Sequence, residues 1–492
     1  MEMKGIQQAV AGARMAYRTG RTRPLAFRVK QLKALQKMLT ENEDKIFQAL
    51  KKDLHKSQFD VAIFEVVGLQ NEITLALNKL PDWTAPEFVS KNMLTIMDEV
   101  YIHREPLGVV LIMGAWNYPL ALVIQPLIGA IAAGNAVVIK PSEVSENMAQ
   151  LLQKLLPQYL DKELYPVVNG AVPETTELLK LQFDHILFTG SSSVGKIVME
   201  AAAKHLTPVT LELGGKSPCY INKNCNLDVA CRRIAWARYV NCGQTCIAPD
   251  YILFNIWLDP LQMFYGDDPQ TSPDYGRIVN RHHLSRLLSL LEGLKVTHGG
   301  DYNTQQLYLA PTIVANVDPN AKVMQEEIFG PVLPIVPVAG AEDAINFINN
   351  RDKPLALYIF TNDKKLINRM IAETSSGGVT VNDCMIHYSI SSLPFGGIGK
   401  SGIGAYHGKF TFETFSHRRA CVIKSFRMES LNSVRYPPAT ESKLKWTRWL
   451  LMKSHGSSRM KQMMIGLLGV LIAMALKVNN KYLHLYSATH PG

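Results

Sequence analysis

Gly108-Val-Val-Leu-Ile-Met-Gly114 is an unbroken apolar run with glycine at both ends, and it decides the fold. A run this short, apolar on both faces, reads as a strand of a parallel sheet covered on both sides. Downstream, residues 126–133 read as a helix, 136–139 as a second strand, 185–188 as a third, and 194–205 as the helix after it. Strands alternating with helices imply a parallel sheet with helices on both faces, an α/β fold. Similar alternation resumes from 209 to about 381. Upstream, 6–54 and 59–80 read as helices, with Leu32, Leu35, Leu39, Ile46 and Leu50 recurring at helical spacing. Residues 94–103 read as a strand, and Gly/Pro punctuation is dense from 393 to 408.

A chain of 492 residues has room for two or three domains and a large core. Its net charge of +10 is uneven: from Glu441 to Gly492, eight Lys or Arg against one Glu give +7, leaving +3 for the first 440 residues. A nearly neutral body argues against nucleic acid as a partner, and a basic tail suits an acidic surface. The seven cysteines, with no apolar leader in residues 1–30, suit a reducing compartment and free thiols. Cys242 and Cys246 lie four apart without a second Cys/His pair, so no metal is expected. Cys219, Cys225, Cys231, Cys384 and Cys421 read as packing.

The tail contains Met463-Met-Ile-Gly-Leu-Leu-Gly-Val-Leu-Ile-Ala-Met-Ala-Leu476, an uncharged run of 14 residues. As a helix it spans about 21 Å, short of a bilayer core about 30 Å thick. Length alone favours a core or interfacial helix. The flanks favour an anchor: Lys461 and Lys477 can snorkel, and Trp446 and Trp449 suit an interface. The basic residues before the run would stay cytosolic.

Two segments carry chemistry. Cys246 stands in Val240-Asn-Cys-Gly-Gln-Thr-Cys-Ile-Ala-Pro-Asp250, thirty-four residues after Glu212 in Leu211-Glu-Leu-Gly-Gly-Lys-Ser-Pro218. A thiol among small residues is a candidate nucleophile, and a carboxylate on a Gly-Gly-bounded strand is a candidate base. Together they suggest thioester chemistry. Gly190-Ser-Ser-Ser-Val-Gly-Lys-Ile197 nearly matches a P-loop, but Ile197 has no hydroxyl for Mg²⁺. The segment still follows an apolar strand and opens a helix, where a pyrophosphate can rest on the helix N-terminus. Gly397-Ile-Gly-Lys-Ser-Gly402 has dinucleotide-type spacing but follows Pro394-Phe395 rather than a strand, so its glycines read as turns.

Seven stretches in order resemble the aldehyde dehydrogenase superfamily over about residues 4–425: Gly114-Ala-Trp-Asn-Tyr-Pro119, Ile139-Lys-Pro-Ser-Glu143, Phe188-Thr-Gly-Ser191, Leu211-Glu-Leu-Gly-Gly-Lys216, Gly243-Gln-Thr-Cys246, Glu326-Glu-Ile-Phe-Gly-Pro331 and Pro394-Phe-Gly-Gly397. Within it the chain looks closest to the class 3 group and its microsomal, fatty-aldehyde branch, on the absent N-terminal extension, Tyr406-His-Gly-Lys409 and the apolar tail. The resemblance implies that Cys246 is the nucleophile, that Asn117 and the Cys246 N–H hold the oxyanion, and that Glu212 or Glu327 is the base. It puts Lys140 and Glu143 at the adenosine ribose, Gly190, Ser191, Val194 and Gly195 at the pyrophosphate, and Glu327 at the nicotinamide ribose, with Phe329 and Trp116 also binding the cofactor. Tyr118 and Phe395 fall in the substrate pocket. A carboxylate at Glu143 favours NAD over NADP, which stays a weaker alternative.

The implied architecture is α/β: a Rossmann-like NAD-binding domain (1–93 and 104–211), an α/β catalytic domain (212–392), and a small β bridging element (94–103 and 393–425) that pairs a homodimer. A basic linker (426–462), the anchor (463–476) and a tail (477–492) follow. The implied function is NAD-dependent oxidation of long-chain aldehydes to fatty acids on the endoplasmic reticulum membrane, facing the cytosol, with the peroxisomal membrane as an alternative site. The rivals are a dehydrogenase of medium-chain or aromatic aldehydes and an inactive binding protein that keeps the fold. One departure concerns the scaffold: the stretch from Tyr251 to Tyr275 is shorter than the family's charged helix there, and Pro260 interrupts it. For the tail, a chain ending at Ser457 is expected to be released from membranes by alkaline carbonate, while the full chain stays in the pellet; retention of the shortened chain would remove the anchor.

Overall fold

The computed structural model describes residues 3–91, 95, 97–254, 264–426, 429–451 and 468–469. The chain divides into two compact units, one of 1–87 with 103–419 and the other of 88–102 with 420–492.

The larger unit contains two parallel sheets. The first runs Gly402–Ile403, Val209–Glu212, His185–Thr189, Val109–Met113, Ala136–Lys140, with only the Gly402–Ile403 edge strand antiparallel. Every residue of Val109–Met113 is buried, which is why the run that opens the reading carries no polar side chain. From this strand the chain moves to Ala136–Lys140 on one side and then to His185–Thr189 on the other. Strand order therefore reverses at Val109–Met113, and in α/β sheets such a reversal opens a crevice at the strands' C-terminal ends. Gly114–Tyr118 and Gly190–Ser192 leave their strands there.

The second sheet is parallel throughout, in the order Thr312–Val314, Val332–Val336, Tyr251–Leu253, Pro218–Ile221, Ala356–Phe360, Gly378–Val381. A buried charge cluster lies beside it. Asp250 accepts from Lys216 Nζ at 2.5 Å, from Arg238 Nη1 at 3.1 Å and from the Ile328 N–H at 3.2 Å. One carboxylate thus joins the end of the Cys246 loop to the segment that carries Glu327.

Two helices start earlier than their sequence pattern suggests. Ala121–Ala133, buried at every residue, begins five positions before Pro126 because Glu65, remote in sequence, accepts the Leu120 and Ala121 N–H groups at 3.1 and 2.9 Å. Ser192–Ala203 begins two residues before Val194 because the Ser191 hydroxyl caps it. In the strand expected over 94–103, pairing spans Glu99–Pro106 instead. Of the short stretch after Tyr251, residues 255–263 lie outside the described residues. On its far side Tyr265 meets Tyr275 edge-on at 4.9 Å, and Tyr275 meets Tyr308 at 5.9 Å.

Glu87–Phe88, Glu99–Pro106 and Ser416–Ile423 form a three-stranded sheet. Within the smaller unit, Val89 N–H donates to the Val100 carbonyl, Phe88 and Tyr101 rings lie 5.9 Å apart, and Lys424 pairs with Asp98 at 2.7 Å. A helix spans Glu441–Leu451. The apolar run 463–476 lies outside the described residues except for Leu468 and Gly469, and no helix among the described residues is long and apolar enough to cross a membrane.

Gly129 is where Ala121–Ala133 crosses Gly408–Thr414: a Cβ there would sit 2.3 Å from Thr411 Cγ2. Gly129→Ala is expected to lower unfolding free energy by about 1–3 kcal/mol through overpacking, read as an earlier urea midpoint; an unchanged midpoint would show that the crossing can relax.

Candidate active site

The larger unit encloses a cavity of about 440 Å³ lined by Asn117, Tyr118, Glu212, Cys246 and Phe395 with apolar neighbours that include Phe64, Leu122 and Trp236. The thiol reaches it through a strained turn. Asn241 and Cys242 both take φ 54° and Gly243 takes φ 70°, a left-handed succession that only glycine adopts freely. A Cβ on Gly243 would also lie 2.2 Å from the Gly330 carbonyl oxygen. Gln244, fully buried, pins the turn by donating to the Asn241 and Arg277 carbonyls and accepting the Val279 N–H. The Thr245 hydroxyl meets that of Tyr118 at 2.8 Å. Gly-Gln-Thr-Cys is therefore a set of fixings that leaves Cys246 partly exposed at its end.

Burial pushes the Cys246 thiol up to about 12, and the negative charges of Glu327 and Glu212 push in the same direction. The surrounding protein favours the resting thiol over the reactive thiolate. Glu212 is itself held well above the ordinary carboxyl range by burial. It is 3% exposed, and neither carboxyl oxygen has a hydrogen-bond partner among the described residues.

Asn117 is buried and donates its Nδ2 to the Gln244 carbonyl at 3.0 Å. Its own carbonyl accepts from Lys56 Nζ and from Asn241 Nδ2, each at 2.9 Å. Lys56 is a site residue that the sequence reading missed. Its ammonium pairs with Glu65 at 2.6 Å and sits 3.9 Å from the Tyr118 ring centre. Nothing in the spacing of Lys56 and Glu65 signals this, because the groups they bind at Asn117, Leu120 and Ala121 lie 55 to 61 residues further on.

Glu327 lies outside the cavity lining. Its carboxylate covers Gly214, where a Cβ would fall 1.9 Å from Oε2. Burial raises it to about 8, as does Asp250, against the opposing pull of the Gly215 N–H, Lys216 and Arg238. Gly214 thus makes room for a second acid, to which Gly215 donates its N–H.

The expected cofactor residues cluster at the crevice end of the first sheet. Lys140 is buried and pairs with the more exposed Glu143 at 3.0 Å. Ser191 caps the Ser192–Ala203 helix. Side chains at Gly190 and Gly195 would strike the Phe188 ring at 2.5 Å and Leu213 at 2.8 Å. Val194 and Ile197 expose apolar side chains on the same helix. Trp116 packs edge-on against Phe329 at 5.2 Å and lies 5.0 Å from His283. A glycine-lined helix N-terminus with an adjacent carboxylate fits a dinucleotide.

The family model described as "Aldehyde dehydrogenase family" matches residues 1–421. The chain belongs to the aldehyde dehydrogenase family. It is 57% identical over 481 residues to "Aldehyde dehydrogenase family 3 member A2" of Pongo abelii, covering 96% of this chain and 99% of that one. It is 58% identical over 446 residues to "Aldehyde dehydrogenase, dimeric NADP-preferring" of Mus musculus, covering 89% and 98%. Among solved structures, "Substrate bound state of Staphylococcus Aureus AldH" superposes with a TM-score of 0.89 at 41% identity, covering 91% of this chain and 99% of that one. The protein is an aldehyde dehydrogenase of α/β fold that oxidises aldehydes with a nicotinamide dinucleotide.

Because Glu327 raises the thiol, Glu327→Gln should move the pH midpoint of Cys246 alkylation by iodoacetamide downward. An upward or absent shift would mean that Glu327 carries no charge when the thiol ionises.

Proposed function

We propose that this aldehyde dehydrogenase is NAD-dependent and converts long-chain aliphatic aldehydes to fatty acids through a thioester on Cys246. The observation that carries the reading is the convergence of Cys246, Asn117 and Glu212 on one largely apolar cavity. Aldehyde and thiol are brought together there in a water-poor space, where dipoles aimed at developing charge act strongly. The Cys246 thiol gives its proton to the ionised form of Glu212 as the sulfur adds to the aldehyde carbon. Asn117 Nδ2 and the Cys246 N–H donate to the oxygen as it becomes anionic, and the fixings of both residues mean that little reorganisation is needed. The dinucleotide, when bound, supplies the hydride acceptor. Once Glu212 has released that proton to solvent, water attacks the thioester carbon, Glu212 takes the water's proton, and the sulfur leaves as thiolate. Glu327 is the alternative base, but its place over Gly214 suits a role in holding the cofactor better.

NAD is the proposed oxidant because the Glu143 carboxylate can accept from both ribose hydroxyls and would repel a 2′-phosphate. Lys140, 3.0 Å from Glu143, offsets part of that repulsion, so NADP is accepted more weakly. Phe64, Val67, Leu122, Trp236 and Ile386 line the cavity with hydrocarbon surface suited to an alkyl chain. Residues 1–93 and 104–211 would hold the cofactor and 212–392 perform the chemistry, with 94–103 and 393–425 pairing a homodimer. The apolar run 463–476 would anchor the enzyme to the endoplasmic reticulum membrane, or to the peroxisomal membrane, where such aldehydes dissolve.

Steady-state rates for saturated aldehydes from C6 to C18 and for benzaldehyde, with NAD, test this. The expected kcat/KM rises with chain length and exceeds that for benzaldehyde by about tenfold or more, while Cys246→Ser forms no NADH. A preference for benzaldehyde would overturn the long-chain assignment, and parental turnover by Cys246→Ser would remove the thiol from the mechanism.

A further inference from the structure

Glu72, Gln125, Tyr388, Tyr406 and His407 line the same cavity as the thiol and take no part in the bond changes proposed for it. Glu72, buried on the Gly68–Thr84 helix, accepts the Gly408 N–H at 2.9 Å and Gln125 Nε2 at 2.6 Å. Gln125 in turn accepts the Tyr388 hydroxyl at 2.6 Å. His407 is held between these ties: its own N–H goes to Thr411 Oγ1 at 2.8 Å, and Phe395 stacks on its ring at 5.2 Å. Tyr388 and Tyr406 press on the same ring edge-on, at 4.5 and 4.9 Å. Tyr406 is fixed by paired backbone hydrogen bonds to Phe395 and lies four residues beyond Gly402, the strand partner of Glu212.

This rigid wall ends in polar atoms without partners. Tyr406 and His407 are each 1% exposed, yet the Tyr406 hydroxyl and His407 Nε2 have no hydrogen-bond partner among the described residues. Tyr388 gives its own proton to Gln125, and its oxygen is the neighbouring acceptor toward which the Tyr406 hydroxyl can turn. The two oxygens of Glu212 are unpartnered as well, and all three side chains line the cavity that holds Cys246. Leaving such atoms unpaired in a buried cavity is unfavourable, and a polar occupant of the cavity relieves it. An aldehyde's alkyl chain does not supply one.

We propose that Tyr406 and His407, together with Glu212, hold the water that hydrolyses the Cys246 thioester. The proposal rests on the thioester reading above and deepens it. A water has two protons and two lone pairs. One proton goes to Glu212 and the other to His407 Nε2; one lone pair accepts from the Tyr406 hydroxyl, and the second is left for the acyl carbon. Burial holds the His407 imidazole near 3, so it stays neutral and can accept, and holds Tyr406 well above its ordinary range, so it keeps the proton it donates. In the step, the water oxygen bonds to the acyl carbon, its proton passes to Glu212, and the C–S pair returns to sulfur. Glu72 and Gln125 are positioning residues that hold the wall.

Tyr406→Phe and His407→Phe keep the rings and remove the polar atoms. In the full-length enzyme with NAD and hexadecanal, the first-turnover rate of NADH formation is expected to stay within about twofold of the parent, while steady-state turnover falls about 10- to 100-fold. Acyl mass should then accumulate on Cys246, and hydroxylamine, which attacks thioesters without a held water, should restore turnover. Rates are referred to the concentration of thiol that can be acylated, so misfolded protein affects neither. First-turnover and steady-state rates falling by the same factor in both variants would reduce the pair to packing residues, and an unchanged steady state would equally overturn the proposal. If rapid quench of the parent enzyme finds no acyl mass on Cys246, the thioester reading itself fails and takes this one with it.

Discussion

One buried ammonium, that of Lys56, ties together the parts that make the site. It bonds Glu65 and the Asn117 carbonyl and lies against the Tyr118 ring. Glu65, balanced by that charge, caps the fully buried Ala121–Ala133 helix behind the first sheet. Removing either partner strands a charge in the interior, an effect of about 3–5 kcal/mol. The pair therefore couples the N-terminal helices, the start of a core helix and the side-chain donor beside Cys246. Asn117 is held from its backbone side by Lys56 and Asn241 and from its side chain by Gln244, which leaves its amide in one place.

The electrostatics of the cavity run against easy ionisation. Cys246, Glu212 and Glu327 are all raised, each chiefly by burial, and the two acids add to the cost of a thiolate. Glu72, which lines the same cavity, is raised to about 7 for the same reason. Burial thus disfavours the charged forms of the thiol and of these acids alike. Asp250, between Lys216 and Arg238, serves as a structural joint.

How much of this was legible in the sequence varies with the physics involved. Val109–Met113 and Ala136–Lys140 could be read because a strand buried on both faces must be apolar throughout. Helix starts were placed several residues late where the cap came from elsewhere in the chain, as Glu65 does for Leu120 and Ala121. Cys246, Glu212 and Asn117 could be singled out from their motifs, and the structure brings all three to one cavity. Glu327 was paired with Glu212 as a rival base, yet its carboxylate lies over Gly214, outside the cavity lining.

Local pattern alone determined the alternation of strand and helix and the basic, apolar tail, because each is a property of adjacent residues. Tertiary structure alone decided the Lys56–Glu65–Asn117 joint, the Asp250 cluster and the wall of Glu72, Gln125, Tyr388, Tyr406 and His407. Gln125 and Tyr388 are 263 positions apart and Glu72 and Gly408 are 336 apart. Contacts at such separations leave no periodicity in the chain, since they arise only when buried polar groups must find partners after the sheets have packed.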